Sequence, residues 1–249
     1  CLPTSPFGVF PTMPYPDLYD EPPRSRRPWW VKALLVFVAL SVLAAGGVAG
    51  AVWYISQDLP SLDSVTAYQP SLVSRVYSDD RQVVGQFFVE RRILTPLSDI
   101  PESFIHAVIA VEDARFFEHP GLDVIGIARA GWMNMRRGGK VEGASTITQQ
   151  VARMLFLQEY MRGGVFARSG TEGLERKIKE AILAFQLEKR YTKREIFAFY
   201  ANQVTMGHGA YGVEAASQMY FDKSAKDLSV EEAATIAAII QTPSRLSPF

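Results

Sequence analysis

The feature that most constrains this chain is an uncharged apolar stretch close to its start, ALLVFVALSVLAAGGVAGAVWYI, from Ala33 to Ile55. As a helix, its 23 residues at about 1.5 Å per residue cover roughly the hydrocarbon thickness of a bilayer. The stretch is bracketed by aromatic side chains of the kind that lie at membrane interfaces, Trp29, Trp30, Trp53 and Tyr54. The sequence therefore predicts one transmembrane helix over residues 33–55.

Charges on either side of this stretch predict its orientation. The stretch is preceded by a group of cations, Arg24, Arg26, Arg27 and Lys32, whereas the residues just after it, SQDLPSLD, carry only acidic charge. By the positive-inside rule, residues 1–32 form a cytoplasmic tail and the chain after Ile55 lies outside the cytoplasm. A cleaved signal peptide is the alternative, but the apolar run is longer than an ordinary signal-peptide core.

Charge is balanced over the whole chain, with 26 Lys and Arg against 26 Asp and Glu. This balance argues against nucleic acid as a partner, so any cationic site must be a local cluster. The single cysteine, Cys1, allows no internal disulfide, and it stands where a natural chain would begin with Met, which predicts a trimmed start. A lipid-modified Cys1 is the alternative, and the predicted topology argues against it.

Changes of pattern along the chain predict its domains. Residues 72–94 alternate β-forming and polar side chains around Ser78, Asp79 and Asp80, which predicts a β-hairpin in a linker over 56–100. From Pro101 onward, helical patterns are separated by Gly, Ser and Asn, with only a weak strand signal around residues 203–206. We expect a mainly α domain over 101–249.

A single carboxylate stands out at the start of that domain. Ile105, Val108, Ile109 and Glu112 recur at spacings of three and four residues, so Glu112 continues the apolar stripe of a helix. A carboxylate that faces a protein interior is poorly solvated, which suits a general base. The alternative is that Glu112 and Asp113 form a solvated acidic end of the helix, and this pair of residues alone favours that alternative.

The segments that follow add a possible pocket. Phe116 and Phe117 can wall a cleft, and the sequence from His119 to Gly121 must turn the chain back over it. In GASTITQQVARMLFL, Thr146 followed by Gln149 predicts a capping box that opens a helix. A helix start of this kind favours an anion such as a phosphate or diphosphate, although an ordinary capped helix fits this segment equally well.

A third segment, ERKIKEAILAFQLEKRY, supplies basic residues next to an acid. Its apolar residues predict an amphipathic helix: Ile178, Ile182, Phe185 and Leu187. Arg176, Lys177 and Glu180 lie on another side, where a solvated salt-bridged surface is the simplest interpretation. Glycosyl transfer from a diphosphate needs a base and cations that hold the leaving group, and Glu112 with Arg153, Arg176 and Lys177 fits those needs.

A fourth segment, YTKREIFAFYANQ, predicts another helix. Thr192 and Glu195 form a second predicted capping box at its start, and we expect this helix to serve chiefly as structural scaffolding.

Four segments in this order, EDARFFEHPG, GASTITQQ, RKIKE and KREIFAFYAN, resemble the first four motifs of glycosyltransferase family 51, the peptidoglycan glycosyltransferases. The resemblance covers roughly residues 70–249. It implies a lysozyme-like fold with a membrane-dipping jaw, and a location at the bacterial inner membrane. It also implies polymerisation of lipid II, an undecaprenyl-diphosphate-linked disaccharide-pentapeptide, into β-1,4 glycan strands with inversion at the donor's anomeric carbon.

The resemblance carries roles onto matching residues of this chain. It implies that Glu112 is the base that activates the acceptor hydroxyl, that Glu180 is a second catalytic carboxylate near the diphosphate, and that Arg153, Arg176 and Lys177 bind the diphosphate. It further implies a group of polar residues that shape the cleft and orient substrate: Asp113, His119, Ser145, Thr148, Gln149 and Gln150. No cofactor is required, and Mg²⁺ or Mn²⁺ at the diphosphate is left open because the sequence has no cluster of metal ligands.

This chain departs from the family pattern in several places. Residues 158–175 form a longer link between the second and third motifs, for which a contact with lipid head groups and a solvated loop are both open. Met154 and Met206 replace residues that are common in the family. The chain ends before the fifth motif and before any transpeptidase domain, so we expect a C-terminally truncated fragment, with lipid II, the growing glycan strand, the bilayer and other cell-wall synthesis proteins as its partners.

Two other functions fit parts of the sequence. A glycan-cleaving enzyme of lysozyme-like fold would use Glu112 as a general acid, but it would have no need for the cations Arg153 and Lys177. An inactive membrane-bound scaffold is a third hypothesis, and the intact motifs argue against it.

Overall fold

A computed structural model describes residues 28–60, 62, 74–87, 90–138, 143–157 and 170–247 of the chain. The tail over residues 1–27 and most of the longer link, residues 158–169, lie outside the described residues, so the interpretations of those segments stay predictions. The helices are α1 (Trp29–Ser56), α2 (Glu102–Glu112), α3 (Val124–Arg137), α4 (Ile147–Phe156), α5 (Gly170–Arg190), α6 (Lys193–Gln203), α7 (Val213–Phe221), α8 (Val230–Gln241) and α9 (Pro243–Leu246). The strands are β1 (Ser74–Tyr77), β2 (Val83–Phe87), β3 (Arg91–Arg92) and β4 (Ala210–Tyr211).

Helix α1 contains the apolar stretch that the sequence singled out. It begins at Trp29, four residues before the predicted start, because Trp30, Val31 and Lys32 continue the helical pattern. By length and composition it is the one described helix that could cross a membrane. The chain divides into two compact units, residues 1–50 and 51–249. The predicted domain boundaries at residues 32, 55 and 100 stay predictions.

Strands β1 and β2 form the predicted hairpin. They pair antiparallel, with Ser74 opposite Phe87 and Val76 opposite Gly85. Two backbone hydrogen bonds close the turn, from Ser78 N–H to the Gln82 carbonyl oxygen and from Arg81 N–H to the Ser78 carbonyl oxygen, and Arg81 takes a positive φ of 62° within it. The hairpin therefore lies inside the 72–94 segment where alternation predicted it.

The body of the second unit is mainly α-helical, as predicted. Helix α2 packs against α8, while α4 packs against both α5 and α6. Aromatic rings at the centre meet edge to face, with Phe104 and Phe116 each about 6 Å from Phe197 between ring centroids. Both predicted capping boxes are present, since Thr146 with Gln149 opens α4 and Thr192 with Glu195 opens α6.

The short sheet of β3 and β4 was not predicted. Arg91 and Arg92 pair in parallel with Ala210 and Tyr211, more than 100 residues later in the chain. The weak strand signal around residues 203–206 corresponds to a single antiparallel bridge between Thr205 and Tyr211, while Gln203 is the last residue of α6. Two residues per strand leave no periodic pattern for sequence analysis to detect.

Gly212 allows the chain to pass from β4 into α7. Its φ of 84° and ψ of 162° lie in a region that is essentially restricted to glycine. A Cβ atom there would approach the backbone oxygens of Ala201 and Asn202 to 3.0 Å each. The turn and the close approach to α6 therefore both require glycine.

Gly212→Ala should destabilise the fold by about 1–3 kcal/mol from backbone strain alone, with the contact against α6 adding to that cost. Gly131→Ala is the matched control, because Gly131 is in the interior of α3 and a Cβ atom there meets nothing within 4 Å. Alanine at this helical position should stabilise the protein by about 0.5–1 kcal/mol. Thermal unfolding measures both, and equal melting temperatures for the two variants would contradict the strained conformation at Gly212.

Candidate active site

A cleft of about 650 Å³ opens beside the C-terminal end of α2. Its walls come from the end of α2, the first half of α3, the loop before α4, the middle of α4, and the end of α8. The residues that line it include Glu112, Asp113, Arg115, Asp123, Arg129, Ser145, Gln150, Arg153, Gln241 and Thr242. The cleft is therefore lined mostly by polar and charged side chains.

Glu112 is the last residue of α2 and faces this cleft. Its carboxylate accepts a hydrogen bond from Gln150 Nε2 at 2.8 Å. The carboxylate is half-buried, which corrects the expectation that it continues the apolar stripe into the interior; the stripe is fully buried only at Ile105 and Val108. Glu112 is thus accessible from the cleft and held by one neighbouring side chain.

Asp113 connects the end of α2 to the start of α4. One carboxylate oxygen accepts the backbone N–H of Ile147 at 3.0 Å, and both oxygens lie 3.1 Å from His119 Nε2. His119 Nδ1 accepts the backbone N–H of Gly121, so the Nε2 atom carries the proton that it donates to Asp113. One backbone N–H of this helix start therefore binds a carboxylate of the protein itself, and the phosphate or diphosphate expected there stays a prediction.

The His119–Gly121 turn is fixed by its neighbours. Gly121 has a φ of 98°, and a Cβ atom there would meet the backbone oxygen of Ala184 at 3.1 Å. Its carbonyl oxygen accepts a hydrogen bond from the Thr146 hydroxyl at 2.6 Å. The capping residue of α4 therefore holds both its own helix and the turn that follows Glu112.

Helix α5 buries a charged face that the sequence did not predict. Its buried residues run from Arg176 through Glu180 and Leu183 to Leu187, while Phe185, expected on the apolar face, is 46% exposed. Glu180 is completely buried, so Arg176 and Glu180 are not the solvated surface that their composition favoured. A buried carboxylate needs partners that compensate its charge.

Three cations supply that compensation. Arg176 donates to one oxygen of Glu180, and Lys177 donates to the other at 2.7 Å. Arg153 of α4 lies 3.7 Å from the first oxygen. Three cations share one carboxylate, which leaves two positive charges. We call Arg153, Arg176, Lys177 and Glu180 the cationic cluster.

Helix α4 brings Glu112 and the cationic cluster to one cleft. Gln150, which binds Glu112, and Arg153, which contacts Glu180, are three residues apart and so lie on one face of the helix. On the loop just before α4, the Ser145 hydroxyl accepts a hydrogen bond from Lys177 Nζ at 2.7 Å. The cleft therefore has a carboxylate on one side and positive charge on the other.

The predicted site residues fall into three groups. Five line the cleft: Glu112, Asp113, Ser145, Gln150 and Arg153. Three complete the cationic cluster beside it: Arg176, Lys177 and Glu180. The last three are buried with their polar groups bonded to other parts of the protein, and their predicted contact with substrate stays a prediction: His119, Thr148 and Gln149.

Several cleft residues were missed by sequence analysis. Arg115 belongs to the first motif, and its basic side chain in EDARFFEHPG was a signal that could have been used. Arg129, Gln241 and Thr242 carried no such signal, because Arg129 lies on α3 between motifs and the other two come more than 125 residues after Glu112. Among the described residues, no group of three or more His, Cys, Asp and Glu side chains could hold a metal ion.

Comparison with known proteins identifies the family of this chain. A sequence model of the transglycosylase family matches residues 80–249, which is more than half of the chain. The chain belongs to the transglycosylase family. The predicted fold class, mainly α with a hairpin and one preceding apolar helix, agrees with the described elements of this transglycosylase.

Relatives of this transglycosylase are longer proteins. This chain is 40% identical over 218 residues to penicillin-binding protein 1A of Rickettsia felis, and the match covers 86% of this chain and 26% of the relative. It is 42% identical over 215 residues to penicillin-binding protein 1A of Neisseria lactamica, covering 86% of this chain and 25% of the relative. A crystal structure of penicillin-binding protein 1A from Haemophilus influenzae is 22% identical, covers 72% of this chain and 15% of that one, and has a TM-score of 0.33. The transglycosylase chain thus spans about a quarter of the length of the curated relatives it matches.

Tyr200 of the transglycosylase is a buried phenol coupled to the site. Its side chain is completely buried in α6, and its hydroxyl has no hydrogen-bond partner among the described residues. Burial raises the pKa of Tyr200 well above its usual value, the charge of Glu112 raises that pKa further, and Arg153 lowers it. The phenol therefore stays protonated in the folded protein at pH values where a free tyrosine ionises.

The free energy of unfolding should consequently fall as pH rises above about 10, because the unfolded chain releases this proton near its ordinary pKa while the folded chain retains it. Tyr200→Phe should remove this contribution to the slope. Tyr77→Phe, at an exposed hairpin position, is the control and should keep it. Chemical denaturation across pH 9 to about 11.5 measures the slopes, and identical slopes for wild type and Tyr200→Phe would contradict the buried phenol.

Proposed function

We propose that this chain is a peptidoglycan glycosyltransferase that polymerises lipid II into β-1,4 glycan strands, with inversion at the donor's anomeric carbon. The observation that carries the proposal is the cleft that has Glu112 on one side and the cationic cluster on the other, joined through one face of α4. Membership of the transglycosylase family and the similarity to penicillin-binding proteins 1A support it.

Glu112 is the proposed general base. Its carboxylate faces the cleft, and the hydrogen bond from Gln150 leaves the other carboxylate oxygen for the acceptor's sugar hydroxyl. As the hydroxyl oxygen attacks the anomeric carbon of the donor, its proton passes to Glu112 and the bond to the diphosphate breaks. The carboxylate therefore ends the step protonated and must release that proton before the next one.

The cationic cluster is the proposed holder of the diphosphate. Its two positive charges oppose the charge that develops on the diphosphate as it leaves, and Arg153 and Lys177 are its more accessible cations. Glu180 has both oxygens bound to cations of the cluster, so we propose that it positions these cations rather than touching substrate. With the charge supplied by side chains, no metal ion is required, and Mg²⁺ or Mn²⁺ would act only as an auxiliary at the diphosphate.

Exposed apolar side chains supply a proposed contact with the bilayer in which lipid II is dissolved. Helix α3 borders the cleft through Gly126 and Arg129, and many of its apolar side chains are exposed: Val124, Ile125, Ile127, Trp132 and Met135. A helix with such a surface and basic residues in its last turn fits a membrane interface. Helix α1 is the proposed transmembrane anchor, with the N-terminus in the cytoplasm and the cleft outside.

Glu112→Gln should lower kcat for polymerisation of lipid II by about 10²–10⁴-fold, because the amide cannot accept the proton. The affinity for lipid II should stay within about threefold, since shape and the bond to Gln150 can be kept. Glu102→Gln, at the exposed start of the same helix, is the control and should retain the parent rate. The rate of polymerisation of purified lipid II is measured for both variants, and a Glu112→Gln rate equal to the parent rate would contradict the role of Glu112 as base. Release of fragments from purified cell wall would instead favour a glycan-cleaving enzyme.

Lys177→Met should weaken the binding of lipid II by about tenfold or more, because it removes a charge-assisted contact to the diphosphate. The loss should shrink as salt is raised, since screening weakens the contact in the parent as well. Lys189→Met removes a cation from the exposed end of the same helix and should have little effect. Equal affinities for the two variants in a binding titration would argue against a diphosphate at the cluster.

A further inference from the structure

Glu188 and Lys193 form an ion pair that contacts the turn that follows Glu112, at His119. Lys193 Nζ donates to the backbone carbonyl oxygen of His119 at 2.6 Å and to Glu188 Oε1 at 2.7 Å, and it lies 4.5 Å from the centre of the Phe116 ring. The three partners of this ammonium have little or no exposure to solvent, and two of them, Phe116 and His119, belong to the first motif.

Glu188 joins this ammonium to helix α4. The oxygen that accepts from Lys193 also accepts from the Thr148 hydroxyl at 2.6 Å, and its side chain is 10% exposed against 19% for Lys193. The Cγ atom of Glu188 lies 3.2 Å from where a Cβ atom would be on Gly121. One ion pair thus contacts α4, α5, α6 and the turn after Glu112.

The stability of the individual helices does not explain where these charges are. Lys193 is the first residue of α6, where the helix dipole favours an anion. Glu188 lies in the last turn of α5, where the dipole favours a cation. Each residue has the sign that its own helix end disfavours, so the contacts between elements account for the pair.

We propose that Glu188 and Lys193 are positioning residues that hold the Glu112 carboxylate in its reactive orientation, an inference that rests on the proposed function. Lys193 fixes the backbone of His119, whose ring fixes Asp113, the residue next to Glu112. Glu188 fixes Thr148, which is two residues before Gln150, the partner of Glu112. The pair thus holds both residues that support the Glu112 carboxylate, Asp113 and Gln150, while neither Glu188 nor Lys193 is among the residues that line the cleft or form the cationic cluster.

Lys193→Met should lower kcat for lipid II polymerisation by about 100-fold, because a base displaced by about 1 Å loses that much rate. KM for lipid II and the affinity for inorganic diphosphate should stay within about threefold, since the cationic cluster is intact. Arg194→Met is the matched control, because the neighbouring Arg194 forms an exposed ion pair with Glu102. It should leave kcat unchanged.

Combining Lys193→Met with Glu188→Gln separates positioning from stability. The single Lys193→Met variant leaves a carboxylate with little solvent and no counter-ion, so its melting temperature should fall. The double variant removes that unpaired charge and keeps an acceptor for Thr148, so the melting temperature should recover while kcat stays low. Recovery of both quantities would overturn the proposal, because the pair would then act only through stability.

Hydrogen exchange tests the same claim without any turnover. In Lys193→Met, the backbone amides over residues 113–121 and at Ile147 should exchange about tenfold faster than in the parent, whereas those of α8 should not change. Unchanged exchange at 113–121 would overturn the proposal even if the chain polymerises lipid II. If the parent chain failed to polymerise lipid II, the proposed function would be wrong. The exchange rates would still decide separately whether Lys193 holds the turn.

Discussion

The structure of the site depends on one buried carboxylate that is shared by three cations. Glu180 has no exposure to solvent, and an isolated charge in that position would be prohibitively costly. Arg176 and Lys177 approach it from its own helix, and Arg153 approaches it from α4. The need to compensate this charge therefore holds α4 against α5 and leaves an excess of positive charge at the edge of the cleft.

A second buried carboxylate sets the opposite side of the cleft. Asp113 accepts from the His119 ring and from the first amide of α4, so the end of α2 and the start of α4 are fixed by one side chain. Glu112 is the residue before Asp113, so the same contacts fix its backbone, and its carboxylate accepts a hydrogen bond from Gln150 of α4. Helix α4 is common to both carboxylates, and its capping residue Thr146 also holds the turn at Gly121. Through Gln150 and Arg153, this one helix contacts both the Glu112 carboxylate and the cationic cluster, so it sets how the two are placed relative to each other.

Sequence patterns predicted the parts of this arrangement that depend on near neighbours. The capping boxes at Thr146 and Thr192 were found because each needs only residues three positions apart. The buried face of α5 was missed because its charged residues read as a solvated surface until Arg153 is brought in from another helix. The β3–β4 sheet and the cleft residues Gln241 and Thr242 depend on pairings across more than 100 residues, for which local patterns hold no information.

The most direct test of this account is the affinity of Glu180→Gln for inorganic diphosphate, measured by isothermal titration calorimetry. Glutamine keeps the size of the side chain but raises the net charge of the cationic cluster by one. If Glu180 positions the cations, binding should weaken by about tenfold despite the added positive charge, because Arg153 and Lys177 lose their common partner. Glu175→Gln, five residues earlier on α5 and paired with Lys179, makes the same change of charge outside the cluster; it is the control and should bind as the parent does. Tighter binding by Glu180→Gln would contradict the account, since it would mean that Glu180 only offsets charge and does not organise the site.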